Sequence, residues 1–331
     1  MAKKTSARKK TAKQSPRKKK SSPRKKAGGE PTPDLYCIDA SIYIFRAYFS
    51  MPDSIRDEAG RPVNAVYGFA DFLIKFIEAA RPAYLGVFFD ESLNTSFRNE
   101  IYPPYKTNRE LPPADLERQL KLCRELSRLM GGGDYAHDRY EADDLIGATM
   151  HRHRAKFKRR TIVSSDKDLA QLLTQPKDIL WDYARERRFD AAGIEEHFGV
   201  PPERIADLLA LAGDAVDNIP GLPGIGQKTA AALIQKFGGI ESVLKRTDEI
   251  AAAKDLRGAA RIAATLAENA ELARTCLAVT RIGTKLKDAG DSVPSLRELQ
   301  YRGADLAGLK KMFAREGFGG RLIGRLEKLF E

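Results

Sequence analysis

Three short apolar runs, LYCID (35–39), YLGVFFD (84–90) and TIVSSD (161–166), each close on an aspartate, and helical stretches separate them. Such runs read as strands buried on both faces. Strands that alternate with helices pair through crossovers, which gives a parallel sheet covered on both sides. The intervening helices are NAVYGFADFLIKFIEAA (64–80), ADLERQLKLCRELSRLM (114–130) and EADDLIGATMHRHR (141–154). ILWDYARERRFD (179–190) reads as a strand hairpin bridging this part to the next. Beyond about residue 190 the pattern is almost wholly helical, including LRGAARIAATLAENAELARTCLAV (256–279) and a terminal pair over 305–330. The expected fold is α/β, a mostly parallel central sheet flanked by helices, followed by a C-terminal helical subdomain.

In an open sheet of this kind ligands bind at the C-terminal strand edge, where Asp39, Asp90 and Asp166 all map. Further acids stand at Glu141, Asp143 and Asp144, at Asp168, and at Asp214 and Asp217. On a helix, Glu141 and Asp144 share a face, as do Asp214 and Asp217. Asp143 starts the same helix as Asp144, and Asp168 begins the helix after the third strand. Clustered carboxylates repel unless a cation neutralises them. Oxygen ligands without histidine or cysteine partners suit hard cations such as Mg2+ or Mn2+. So many acids on one edge suggest two ions, and two ions suggest in-line displacement at phosphorus. The histidines are not part of this reading: His151 and His153 lie in a solvated HRHR run, and His137 and His197 are isolated.

Two further segments point to nucleic acid. In GDAVDNIPGLPGIGQKTAAALIQKFGG (213–239), Gly221, Gly224 and Gly226 allow a tight turn with outward main-chain N–H groups. The helix from Thr229 to Lys236 presents its positive end to the same space. Phosphate oxygens fit there regardless of base. In ESLNTSFRNEIYPPYKTNRELPP (91–113), Phe97, Arg98, Tyr102, Tyr105, Lys106 and Arg109 interleave rings with cations, and two prolines prevent one continuous helix. Rings for stacking and cations for phosphates make a single-strand grip. Lys106 and Arg109 are spaced to flank the scissile phosphate.

Charge is unevenly spread. Residues 1–29 hold 13 Lys or Arg and no acid, so a net charge of +12 leaves the rest of the chain close to neutral. With no apolar residue larger than alanine after Met1, the stretch 1–33 is expected to be a disordered basic tail adding non-specific DNA contacts. Three scattered cysteines (Cys37, Cys123, Cys276) suggest buried thiols in a reducing compartment. No apolar run approaches the ~18 residues of a membrane span. The expected setting is cytoplasmic and nucleoid-associated, without a membrane.

Five motifs together resemble the bacterial 5′-nuclease family of 5′-3′ exonucleases and flap endonucleases, like the 5′-nuclease domain of DNA polymerase I. They are IDASIYIFRAYF (38–49), FFD…FRNEIYPPYKTNR (88–109), YEADDLIG (140–147), SDKDLAQL (165–172) and GDAVDNIPGLPGIGQKTA (213–230). The resemblance runs from about Leu35 to Thr284. It implies a PIN-like nuclease core over 34–190 with an arch at 91–113. A helical DNA-binding subdomain would span 191–290, with a helix–three-turn–helix at 205–237, and C-terminal helices would fill 291–331. One metal is implied near Asp39, Asp90, Glu141 and Asp143, and a second near Asp166, Asp168, Asp214 and Asp217, with Asp144 supporting. Lys106, Arg109 and Arg46 match basic residues at the cleavage site. Phe97, Arg98 and Tyr105 of the arch, and Gly221, Gly224, Ile225, Gly226, Lys228 and Thr229 of the hairpin, are the implied DNA contacts, with K+ at the hairpin carbonyls. Ser165 stands where many relatives carry glycine.

The expectation is a stand-alone, monomeric, structure-specific 5′-nuclease. It would cut DNA with a 5′ flap or single-stranded 5′ end, and RNA at primer ends, by a two-metal mechanism in replication or repair. A PIN-type RNase would lack the glycine hairpin, and a vestigial binding protein would lack some of the acids; neither loss is visible.

Overall fold

The residues of β1 (Leu35–Asp39) alternate between two apolar cores: Leu35 and Cys37 face one, Ile38 the other. This is the side-chain period of a strand covered on both faces. The computed structural model describes residues 34–91 and 95–330; the basic tail expected over 1–33 lies outside the described residues. After β1 come α1 (Ala40–Ser50), α2 (Asn64–Ala80), β2 (Tyr84–Phe88), α3 (Phe97–Ile101), α4 (Ala114–Leu129) and α5 (Ala142–Arg152). Then follow β3 (Arg160–Val163), β4 (Ile179–Asp182) and β5 (Arg187–Phe189). The strands lie in the order β2-β1-β3-β4-β5, parallel except for β5. β4 and β5 thus extend the sheet as its edge hairpin, and Phe189 of β5 packs on the core shared with the helices that follow.

The helical part runs through α6 (Ala191–Phe198), α7 (Ile205–Ala212), α8 (Gln227–Phe237), α9 (Ile240–Lys245), α10 (Thr247–Ala251), α11 (Ala259–Glu268) and α12 (Ala270–Thr280). α7 and α8 fill the two ends of the expected 205–237 unit. The helical run expected over 256–279 forms two helices that meet at Asn269, whose side-chain amide donates back to Thr265 O at 2.8 Å. Such local bonding ends helices.

α13 (Leu296–Leu299), α14 (Leu306–Arg315) and α15 (Gly320–Phe330) close the chain. The last two return to the N-terminal layer, where Leu309, Phe313, Leu322 and Leu326 join Phe69, Leu73 and Phe76 of α2 in one core. α2 itself ends as its sequence dictates, with Arg81 in the left-handed region (φ 44°) just before Pro82. Cys37, Cys123 and Cys276 are buried and unbridged. Among the described residues no helix is long and apolar enough to cross a membrane.

Candidate active site

The C-terminal sheet edge brings the acids together. Asp39 is the last residue of β1 and only 4% exposed. Asp90 lies two residues past β2, and its Oδ1 accepts the Ala142 N–H at 2.8 Å, which ties it to the first turn of α5. Glu141 is the N-cap residue of that helix, and Asp143 sits in its first turn. β3 ends at Val163, three residues before Asp166. Ser164 fills the gap: its hydroxyl donates to Asp39 Oδ2 at 2.9 Å and accepts the Asp166 N–H at 3.0 Å. Asp166 Oδ1 in turn accepts the Asp168 N–H at 2.9 Å, where a short 3-10 turn begins. The expectation of a helix at Asp168 thus resolves to a tighter turn. Ser164 was missed as a site residue; its only sequence signal is a hydroxyl directly after a buried strand.

Asp214 and Asp217 do not share a helix face. Gly213 ends α7 at φ 81°, and 214–219 form a turn closed by Asp214 N to Ile219 O (2.9 Å) and Ile219 N to Asp214 O (2.8 Å). Gly221 is a packing glycine, not an outward phosphate donor. Its φ is +63°, and a Cβ there would lie 2.3 Å from Gly213 N. Ile225 is buried beneath the hairpin, also against expectation, because its side chain anchors the turn in the core. Gly224, Gly226 and Lys228 are exposed and Thr229 half-buried at the start of α8.

The arch docks on the acidic turn. Lys106 N donates to Asp217 O at 3.0 Å, Asn108 Nδ2 to Ala215 O at 2.9 Å, and Asn218 Nδ2 to Pro104 O at 2.7 Å. Lys106 Nζ meets Glu141 Oε2 at 2.6 Å and lies 3.9 Å from Asp217 Oδ2; Arg109 pairs with Asp217. Tyr105, expected to stack on bases, is 4% exposed, and its hydroxyl lies 3.2 Å from both Glu141 Oε2 and Asp217 Oδ2. Phe97 is half-buried against Tyr140. Arg46 is exposed on α1 and lines a separate pocket with Tyr43, Gly68 and Lys75.

Arg98 and Asp144 are the plainest corrections. Arg98 is 2% exposed, so it does not face DNA, and Asp144 is fully buried. Arg98 donates to Asp144 Oδ2 at 2.6 Å and Oδ1 at 2.8 Å, while Gly283 N and Glu141 N donate at 2.7 and 3.2 Å. A carboxylate has about four lone-pair positions, and these donors fill them. Asp144 has no oxygen left for an ion.

Asp39, Asp143, Asp166 and Asp168 are crowded and held above the usual carboxylate range. Burial first, then Asp90, pushes Asp39 up to about 8; burial, then Asp166 and Asp214, does the same to Asp168. Burial and Asp166, with Asp39 and Asp90, raise Asp143 well above the carboxylate range, and burial also raises Asp166. Glu141 goes the other way: against its burial, Lys106 and Arg98 hold it at about 2. Among the described residues no three acidic, histidine or cysteine side chains already converge closely enough to hold a metal ion. Glu141 and Asp217 are turned instead to the arch cations. Yet Asp168 Oδ1 is buried with no hydrogen-bond partner. An orphaned carboxyl oxygen among buried, crowded acids whose ionisation is disfavoured is the environment a hard divalent cation relieves. The donor set fits such an ion.

Comparison with known proteins gives the family and the fold. Residues 34–199 match the family described as "5'-3' exonuclease, N-terminal resolvase-like domain", and residues 200–305 its "C-terminal SAM fold". The chain is similar to DNA polymerase I of Rhizobium leguminosarum, 38% identical over 257 residues, which are 76% of this chain and 24% of the polymerase. It thus spans about a quarter of that relative's length. It is 36% identical to a 5'-3' exonuclease of Aquifex aeolicus over 65% of this chain and 73% of that one. Its fold is similar to that of the bacteriophage T5 flap endonuclease, solved with DNA and metal ions. The TM-score is 0.63 at 21% identity, covering 89% of this chain and 99% of that one.

Proposed function

The chain belongs to the 5'-3' exonuclease family, and on that footing we propose that it is a divalent-metal-dependent, structure-specific 5′-nuclease that hydrolyses DNA near a 5′ flap or single-stranded 5′ end. The observation that carries this reading is the cluster of Asp39, Asp143, Asp166 and Asp168, each raised by burial and by acidic neighbours and sharing one edge with an unpartnered Asp168 oxygen. Asp39, Asp90, Asp143 and Glu141 would hold one Mg2+ or Mn2+, and Asp166, Asp168, Asp214 and Asp217 a second. A bound ion supplies Lewis acidity and a water of lowered pKa.

The protein's own groups do the rest. Ser164 keeps Asp39 and Asp166 in register. Lys106 and Arg109 stand at the mouth of the site, where they neutralise phosphate charge once they leave Glu141 and Asp217. Burial of the cluster strengthens every charge–charge interaction within it. Gly224, Gly226 and Lys228 present N–H groups and one cation to the duplex backbone, and K+ would sit against the hairpin carbonyls. The helical part over 191–290 is the duplex grip, and the core over 34–190 is the cutting unit. The reading extends to RNA at primer ends, to action as a monomer, and to a cytoplasmic, nucleoid-associated role in replication or repair. The basic tail would add salt-dependent, non-specific contacts.

The test is cleavage of a 5′-flap duplex labelled at its 3′ end, with Mg2+, Mn2+ or EDTA, beside Asp166→Asn. Metal-dependent cutting near the flap junction, lost in the variant while flap binding persists, is expected. Tight binding without cutting under either metal would refute the nuclease.

A further inference from the structure

Residues 279–283, at and beyond the end of α12, carry none of these acids, yet they touch the segments that bring the acids together. Val279 O accepts from Arg98 Nε at 2.8 Å, and Arg281 O from Arg98 Nη2 at 3.2 Å, which joins the segment to the base of the arch. Gly283 N donates to Asp144 Oδ1 at 2.7 Å, in the turn that bears Glu141 and Asp143. Gln171, in the 3-10 turn that starts at Asp168, donates from Nε2 to Thr280 O and to Asp168 O, both at 3.1 Å. Its Oε1 accepts the Ile282 N–H at 2.9 Å. Thr280 Oγ1 donates to Ala206 O at 3.0 Å in α7, the helix that leads to Asp214 and the hairpin.

The packing is as close as the bonding. A Cβ on Gly147 would lie 2.8 Å from Gly283 O, so α5 sits directly on the segment. Thr280 is 7% exposed and Arg98 2%, so water does not readily replace these bonds when they break. A reaction whose acids come from several elements tolerates little relative movement among them.

We propose that residues 279–283 are a positioning strut, which fixes the distance from the duplex-gripping helices α7 and α8 to the carboxylates and thereby sets the nucleotide at which the strand is cut. Gln171 and Thr280 are its positioning residues; neither side chain bonds an acid's carboxylate. The strut rests on the nuclease reading above.

Thr280→Val removes the donor at nearly constant shape, and Gln171→Met removes the amide at constant length. Each is tested in the full chain on the labelled flap duplex, with product lengths read on a denaturing gel and kcat and KM measured separately. The expected result is a product spread by about one nucleotide, the ~3.4 Å rise of a stacked strand. kcat should fall roughly tenfold while KM stays within about twofold. Thr280→Ser should restore the single wild-type product. Folded Thr280→Val and Gln171→Met proteins that both cut at the wild-type position at the wild-type rate would overturn the strut, even if their Tm falls. Should one of them not fold, the other and Arg98→Lys decide by the same criterion.

A wild-type protein that cuts nothing would refute the nuclease alone. Hydrogen exchange in Gln171→Met then judges the strut. Joint loss of amide protection over 141–145, 168–172 and 206–212 is expected, and loss confined to Ile282 overturns it.

Discussion

Arg98→Ala separates an arch arginine that touches DNA from one that holds the core. The side chains of Arg98 and Asp144 are 3% and 0% exposed and meet through two bonds of 2.6 and 2.8 Å. Truncation leaves Asp144 charged in the interior with only the Glu141 and Gly283 amides as donors. It also strips a donor from the carbonyls of Val279 and Arg281. Removing one partner of a buried pair costs about 3–5 kcal/mol, a large share of the ~5–15 kcal/mol that stabilises a domain. At about 2 °C per kcal/mol for a unit of this size, Tm should fall by about 6–10 °C. Trp181, the only tryptophan, is 4% exposed and packs on Phe76 and Tyr183, so its fluorescence reports the transition. Arg139→Ala breaks an exposed pair with Glu100 and serves as control, with Tm expected to stay close to the wild-type value. An Arg98→Ala protein with unchanged Tm and sharply weaker flap affinity would refute the buried assignment and return Arg98 to the DNA surface.

The raised carboxylates predict a pH slope. An unfolded aspartate titrates near ~3.9, whereas Asp39 and Asp168 are pushed up to about 8. The native state therefore holds more protons across that window, and stability present at its acid end is lost as pH rises through about 8. Glu141, held at about 2, is ionised in both states over the upper part of the window and adds no slope there. In EDTA, Tm should drop from about pH 5 to about pH 8, and Mg2+ should recover most at the alkaline end; a Tm that climbs over this range rejects the cluster's electrostatics. The hairpin glycines should also differ. Gly221→Ala places a methyl 2.3 Å from Gly213 N and should destabilise by more than about 2 kcal/mol. At Gly224 only Arg261 Nη2 lies within 4 Å of such a methyl, so Gly224→Ala should cost only about 1–2 kcal/mol for its positive φ. Equal Tm losses would show that close packing at Gly221 is not what matters.

Much of the framework was legible because it is written in local periodicity. The strand over 35–39 and the helix over 64–80 appear with the expected bounds, since each combines a continuous apolar pattern with a clear stop. The acids at strand ends were legible for the same reason: strand direction alone sends Asp39, Asp90 and Asp166 to one edge. What failed depends on contacts distant in the chain. Arg98 looks like any cation beside an aromatic, and nothing near it names Asp144, its partner 46 residues on. The i,i+3 spacing of Asp214 and Asp217 matches one helix face, but only if the helix before them continues. The left-handed Gly213 ends that helix one residue too soon. Tyr105 and Ile225 carry the composition of contact residues, yet burial takes them inward.

Order of synthesis gives the 279–283 segment a last meaning. A nascent chain emerges from its amino end, so every acid, the arch and the hairpin are made before the segment that ties them together. Until then the growing polypeptide holds the parts of a cutting site without their alignment. A strut of this kind would therefore align the site only after all of the parts it joins have been made.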